Sequence, residues 1–242
     1  MKRIAFTLSE VLITLGIIGV VAALTLPALV AKYKDMVMLS QLKKSYSSFL
    51  NALNLAKNEQ GGMYLYVFDP SNSSTQTAQN ILKYMKVAKD CGTTIRGCMA
   101  QIYYYPSKTN NGAGGLANVS NLDQNPAWYN VVLADGSSVG ITQYKGSNAC
   151  YMVFNNPVLD SDGNYTYDSD GNQQFSQNPG YQCGMTLIDV NGPAKGPNQL
   201  GADAYFIGVY PDGLWQYITN ADKTISENKL FYDKYDFNGS YK

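Results

Sequence analysis

The sequence predicts an α+β fold, a long N-terminal α-helix packed on an antiparallel β-sheet domain. Three observations carry that expectation. Residues 6–31 are apolar except for a few small polar side chains and one charge, Glu10. Leu39, Leu42, Tyr46, Phe49, Leu50, Leu53 and Ala56 then recur at spacings of three and four, the period of one helix face. Beyond Gly61-Gly62 that period fades into short Tyr- and Val-rich runs separated by turn residues.

The apolar run has 26 residues. At about 1.5 Å per residue it makes a helix of about 39 Å, enough to cross a hydrocarbon layer of about 30 Å. Lys2 and Arg3 precede it and favour a cytoplasmic N-terminus, while Lys32 and Lys34 on the far side offset that bias. A cleaved secretory signal fits poorly: the run is too long, no A-x-A site follows, and Glu10 lies inside it. A plain signal anchor fits the length but gives Glu10 no purpose. A carboxylate inside an apolar span is a functional candidate by default. Gly19 and Ala23 form a small-xxx-small pair suited to close helix approach. Pro27 removes one backbone N–H. Gly16, Gly19 and Pro27 together are expected to let the helix stretch locally when packed against others.

From residue 32 the pattern is amphipathic, with Lys43, Lys44, Ser47, Ser48 and Asn51 opposite the apolar stripe. Gly61 and Gly62 predict the stop. A helix over 6–59 would be about 80 Å long. Residues 77–89 read as one more short helix. Strands are predicted at 101–105, 128–133, 138–144, 149–154, 185–190, 205–210 and 214–218. Asp135-Gly136 and Asp212-Gly213 mark two hairpins. Residues 110–124, rich in Gly and Asn, read as an exposed loop. The aromatic run Phe231, Tyr232, Tyr235, Phe237 and Tyr241 reads as a last docked segment.

The string Ile4-Ala5-Phe6-Thr7-Leu8-Ser9-Glu10-Val11-Leu12-Ile13 resembles the prepilin cleavage and methylation motif of type IV pilins and type II secretion pseudopilins. The resemblance implies a leader over 1–5, cut between Ala5 and Phe6 by a prepilin peptidase, with Phe6 becoming the N-methylated terminus. Ala5 stands where the family usually has Gly. Glu10 falls at the family's acidic position and Pro27 where many members carry a helix-bending proline. The implied organisation is a transmembrane and assembly half over 6–31, an amphipathic half over 32–60 and a pilin-like globular domain over 61–242. The stretch Ile188-Asp189-Val190-Asn191-Gly192, Gly196-Pro197-Asn198, Gly201 and Asp203 also resembles a late segment of pilin-like domains. The implied partners are other copies of the chain or related subunits, the peptidase/methyltransferase, an inner-membrane assembly platform and membrane lipid. The implied location is the inner membrane, with the globular domain outside the cytoplasm, and then a surface pilus or periplasmic pseudopilus.

Composition narrows the chemistry. Eighteen basic and 18 acidic residues balance, and only 15% of the chain is charged, so no polyanionic partner such as nucleic acid is expected. The absence of histidine excludes His-based zinc sites, Ser–His–Asp triads and Cys–His dyads. No phosphate loop or activated nucleophile is found, so neither catalysis nor a cofactor is expected. Cys91, Cys98, Cys150 and Cys183 all follow residue 90 and fit two disulfides in an oxidising compartment. Three connectivities exist, and proximity favours Cys91 with Cys98. Asp189, Asn191 and Asp203 are candidate calcium ligands, with turn formation as the plainer role. The near-repeat Asp160-Ser161-Asp162-Gly163-Asn164 and Asp168-Ser169-Asp170-Gly171-Asn172 lacks the Gly and Glu positions of an EF-hand. It reads as two turns with Tyr165 to Tyr167 between them. The expected function is a structural subunit of a type IV pilus-like filament. A type II secretion pseudopilin and a monomeric membrane-anchored binding domain are the alternatives.

Overall fold

The structure, a computed structural model, describes residues 7–100, 103–104, 116–117, 128–144, 150–162, 164–211, 213–216, 219 and 221–232. Helix α1 runs unbroken over Leu8–Glu59, 52 residues, with Pro27 in its interior. At about 1.5 Å per residue it is about 78 Å long. Thr7 caps its start. At its end Gly61 and Gly62 take φ of 105° and 89°, a region open to glycine at little steric cost. There the Gly62 N–H donates to the Lys57 carbonyl at 2.8 Å, satisfying one of the orphan carbonyls of the last turn.

Two short helices follow, α2 (Tyr64–Val67) and α3 (Ser74–Leu82). A capping box between Ser73 and Gln76 opens α3. The helix expected over 77–89 is only half helical. It ends at Leu82, and Val87–Gly92 forms strand β1 instead. Ala78, Ile81 and Leu82 are the apolar residues α3 buries. Beyond them the backbone gains more by pairing with a neighbouring strand than by continuing over solvent.

The remaining strands are β2 (Tyr103–Tyr104), β3 (Leu116–Ala117), β4 (Trp128–Leu133), β5 (Ser138–Gln143), β6 (Tyr151–Pro157), β7 (Phe175–Tyr181), β8 (Gly184–Asp189), β9 (Ala204–Tyr210) and β10 (Gly213–Gln216). Six of them form one antiparallel sheet in the order β1-β4-β5-β8-β9-β10. Within the loop expected at 110–124, β3 pairs with β2. Gln101, Ile102, Tyr105, Asp212, Tyr217 and Ile218, parts of predicted strands and a turn, lie outside the described residues.

Strand alternation splits the sheet between two cores. On one face Val131, Ile141, Ile188, Tyr205 and Ile207 meet Leu42, Phe49 and Leu53 of α1. On the other, Trp128, Leu187 and Phe206 meet Ile95, Met99, Tyr103 and Leu200. Phe206 and Trp128 contact edge-on, their ring centroids 6.2 Å apart. A final helix, α4 (Ala221–Glu227), leads to Tyr232, whose hydroxyl donates to Asp35 of α1 at 2.9 Å. The rest of the aromatic tail lies outside the described residues.

Strands β6 and β7 form a separate ribbon, and none of their described residues belongs to either core. Bridges Leu159–Tyr165 and Tyr167–Gln173 set the segment around Thr166 between two turns at its tip. In those turns Asp160 and Asp168 accept backbone N–H groups from residues two and four further on, at 2.8–2.9 Å. The Cys150–Cys183 disulfide closes the ribbon's base, and Cys91–Cys98 closes the loop after β1.

Candidate functional site

The half of α1 that precedes residue 31 touches almost nothing. An 18-residue window in it is apolar enough to cross a membrane, and none of that window is buried within the chain. Leu24 is 76% exposed, whereas Phe49, on the same helix, is 0% exposed. The threonine hydroxyls in the exposed half are satisfied locally, as a helix in lipid requires. Thr14 Oγ1 donates to the Glu10 carbonyl at 2.9 Å, and Thr25 Oγ1 donates to the Val21 carbonyl at 2.9 Å.

Glu10 is tied to the first turn. Its Oε2 accepts the Thr7 backbone N–H at 2.8 Å and the Thr7 hydroxyl at 2.9 Å, while its own N–H donates to Thr7 Oγ1 at 3.2 Å. This capping box orients the carboxylate toward the N-terminal end of the helix. Gly16 and Gly19 leave open notches, because a methyl at either position would meet nothing within 4 Å beyond its sequence neighbours and the adjoining helix backbone. Ala5 and Phe6, the expected cleavage and methylation positions, lie outside the described residues.

The other candidate group does come together. Asp189 and Asp203 are both 0% exposed. Asp189 Oδ1 accepts the Gly192 N–H at 2.8 Å and the Asn191 N–H at 3.3 Å, and its Oδ2 accepts the Tyr103 hydroxyl at 2.8 Å. Asp203 accepts the Gln199 N–H at 2.7 Å, the Asn198 N–H at 2.9 Å and Asn191 Nδ2 at 3.2 Å. Gly192 takes φ of 84° at this turn, and a Cβ there would fall 2.4 Å from the Gly136 carbonyl oxygen.

Every one of these partners is a donor. Hydrogens, not lone pairs, point at the carboxylates, so a cation would have to displace them. Among the described residues no group of three or more Asp, Glu, Cys or His side chains is arranged to hold a metal. In this arrangement the set is a latch joining three chain segments, those of Tyr103, Asp189–Gly192 and Asn198–Asp203.

Burial, and then the charge of Asp203, raises the Asp189 carboxyl to about 7. Burial raises Asp203 to about 6 against the opposing pull of its backbone donors. Burial first, and then the Asp189 charge, pushes the Tyr103 phenol well up. Tyr103 was not singled out from the sequence, since 86 residues separate it from Asp189 and no local signal links them.

Where the exposed half of α1 meets the domain, the helix and the loop of residues 191–197 border a groove of about 650 Å³. Lys34 and Asp35 line it from the helix, Asn191, Lys195 and Pro197 from the loop, and Tyr232 closes it.

No family model matches this chain, no curated protein matches it in sequence, and no solved structure matches its fold.

Proposed function

We propose that the chain is a structural subunit of a type IV pilus-like filament, anchored in the membrane by residues 6–31 before assembly and packed through the same residues afterwards. The observation that supports this most is the apolar half of α1. It is wholly exposed in the single chain, yet continuous with a half that forms the spine of a folded domain. Apolar surface of this extent needs lipid or other copies of itself.

The prepilin-like motif around Phe6 and Glu10 favours a span that changes from the first environment to the second. Cleavage before Phe6 would create an ammonium group. Glu10 of a neighbouring subunit would neutralise it, an attraction that is strong where water is excluded. The Thr7–Glu10 box survives such a cut, because the Thr7 N–H belongs to the Phe6–Thr7 peptide bond. The carboxylate is thus held at the helix end in readiness for a partner.

The N-terminal peptide mass, taken from membranes and from sheared surface material, tests the reading. A methylated Phe6 terminus in the sheared fraction is the expected result. The same terminus confined to membranes would point to a periplasmic pseudopilus. A chain still starting at Met1, in a host with an active prepilin peptidase, would make it a simple anchored domain. Glu10→Ala should leave membrane insertion and domain stability unchanged but abolish filaments in electron micrographs; normal filaments would overturn the pairing.

A further inference from the structure

We infer that the groove between α1 and the loop of residues 191–197 binds the headgroup of an anionic phospholipid. The inference rests on reading residues 6–31 as a membrane span, though not on filament assembly.

Height comes first. The apolar run ends at Ala31, which lines the groove's lower end, and Gln41 lines its upper end. Ten helical residues cover about 15 Å, so the groove starts at the hydrocarbon boundary and rises through the headgroup layer, which is about 5–8 Å deep on each side of a bilayer. Tyr33, which also lines the groove, is 62% exposed, as suits an aromatic at the lipid–water interface.

Charge comes second. Lys34 of the helix and Lys195 of the loop both line the groove. Neither has an ion-pair partner among the described residues. The one acid in the lining, Asp35, already accepts the Tyr232 hydroxyl at 2.9 Å. Two lysines lining one groove suit a phosphodiester bound there.

The third observation is the apolar part of the lining. Val37, Met38 and Pro197 border the groove beside the two lysines. They give the glycerol backbone of a lipid an apolar wall, which a free phosphate ester would not use.

The experiment uses the full chain released from membranes in mild detergent, with retained lipid counted by native mass spectrometry after addition of phosphatidylglycerol or phosphatidylcholine. Wild type should hold one phosphatidylglycerol in preference to phosphatidylcholine. Lys34→Gln/Lys195→Gln should bind it roughly tenfold or more weakly with an unchanged melting temperature. Lys32→Gln, which removes a charge outside the groove, should retain it. Equal retention of both lipids, undiminished retention by the double variant, or an equal loss in Lys32→Gln would each overturn the site. Glycerol phosphate competing as well as the lipid would make this a soluble phosphate-ester site and overturn the lipid assignment. Recovery of wild type in alkali-washed membranes checks the span itself. A chain washed out of the membrane would overturn that reading and this one together, whereas a chain retained without lipid preference overturns only this one.

Discussion

The two halves of α1 share one backbone and one unbroken helix, from which Pro27 removes a single hydrogen bond, yet their surroundings within the chain differ completely. Before residue 31 the apolar side chains point in every direction and bury nothing in the chain. From Met38 to Ala56 they collapse to a stripe, and Met38, Leu39, Leu42, Phe49, Ala52, Leu53 and Ala56 enter the core. The difference teaches that helicity and stability have separate origins here. The second half is fixed by packing on the sheet. The first is long, apolar and internally hydrogen-bonded, and its surroundings must come from outside the chain.

Truncation breaks the comparison most sharply. Phe49→Ala should cost the domain about 3–5 kcal/mol in denaturant unfolding of the full chain in mild detergent. Ile18→Ala, the loss of a large side chain that is 62% exposed, should change it by less than about 0.5 kcal/mol. Comparable losses would mean that the first half packs on the domain.

Acidity comes next, because the acid latch belongs to the packed body and not to the exposed half of α1. Asp189 and Asp203 hold their protons more tightly in the folded chain than at the unfolded value of about 3.9. Their contribution is therefore fully present below about pH 4 and is lost as pH rises through about 6 and 7. The melting temperature of the domain should fall between pH 5 and pH 8. Asp189→Asn should flatten the upper part of that fall, while the helical signal of the exposed half of α1 stays constant. A melting temperature that rises over this range would contradict the raised acids.

The smallest effect is at the surface of the packed half. Lys44 reaches Asp135 of the β4–β5 turn at 3.0 Å, and its side chain is 63% exposed. Lys44→Ala should cost about 0.2–1 kcal/mol, and less in high salt. A larger loss would show that this ion pair helps fix the helix on the sheet.

How much of this was legible in the sequence follows from which signals are local. The helix, its Gly61-Gly62 stop and the Asp135-Gly136 hairpin are written in neighbouring residues. Strand β1 was read as helix because Lys86, Val87, Ala88 and Lys89 continue a helical run, and only the distant edge of β4 makes them extended. Strand β7 was missed for the opposite reason: Asn178, Pro179 and Gly180 are poor strand formers, and they pair because the ribbon exposes both faces. The Asp189, Asn191 and Asp203 set was found, as turn formers first and as oxygen ligands second. Its chemistry depends on backbone N–H groups, which no side-chain pattern reports, and on Tyr103.

The ribbon of β6 and β7 leaves the body at one disulfide and returns at the same disulfide. The Cys150–Cys183 link clamps its two ends together, and none of the described residues of β6 and β7 belongs to either hydrophobic core. The chain can thus lengthen, shorten or change its side chains there at little cost to the sheet. If the chain is the repeated subunit proposed above, this is a display position, where new outward chemistry can be tried one loop at a time while the fold beneath it stays as it was.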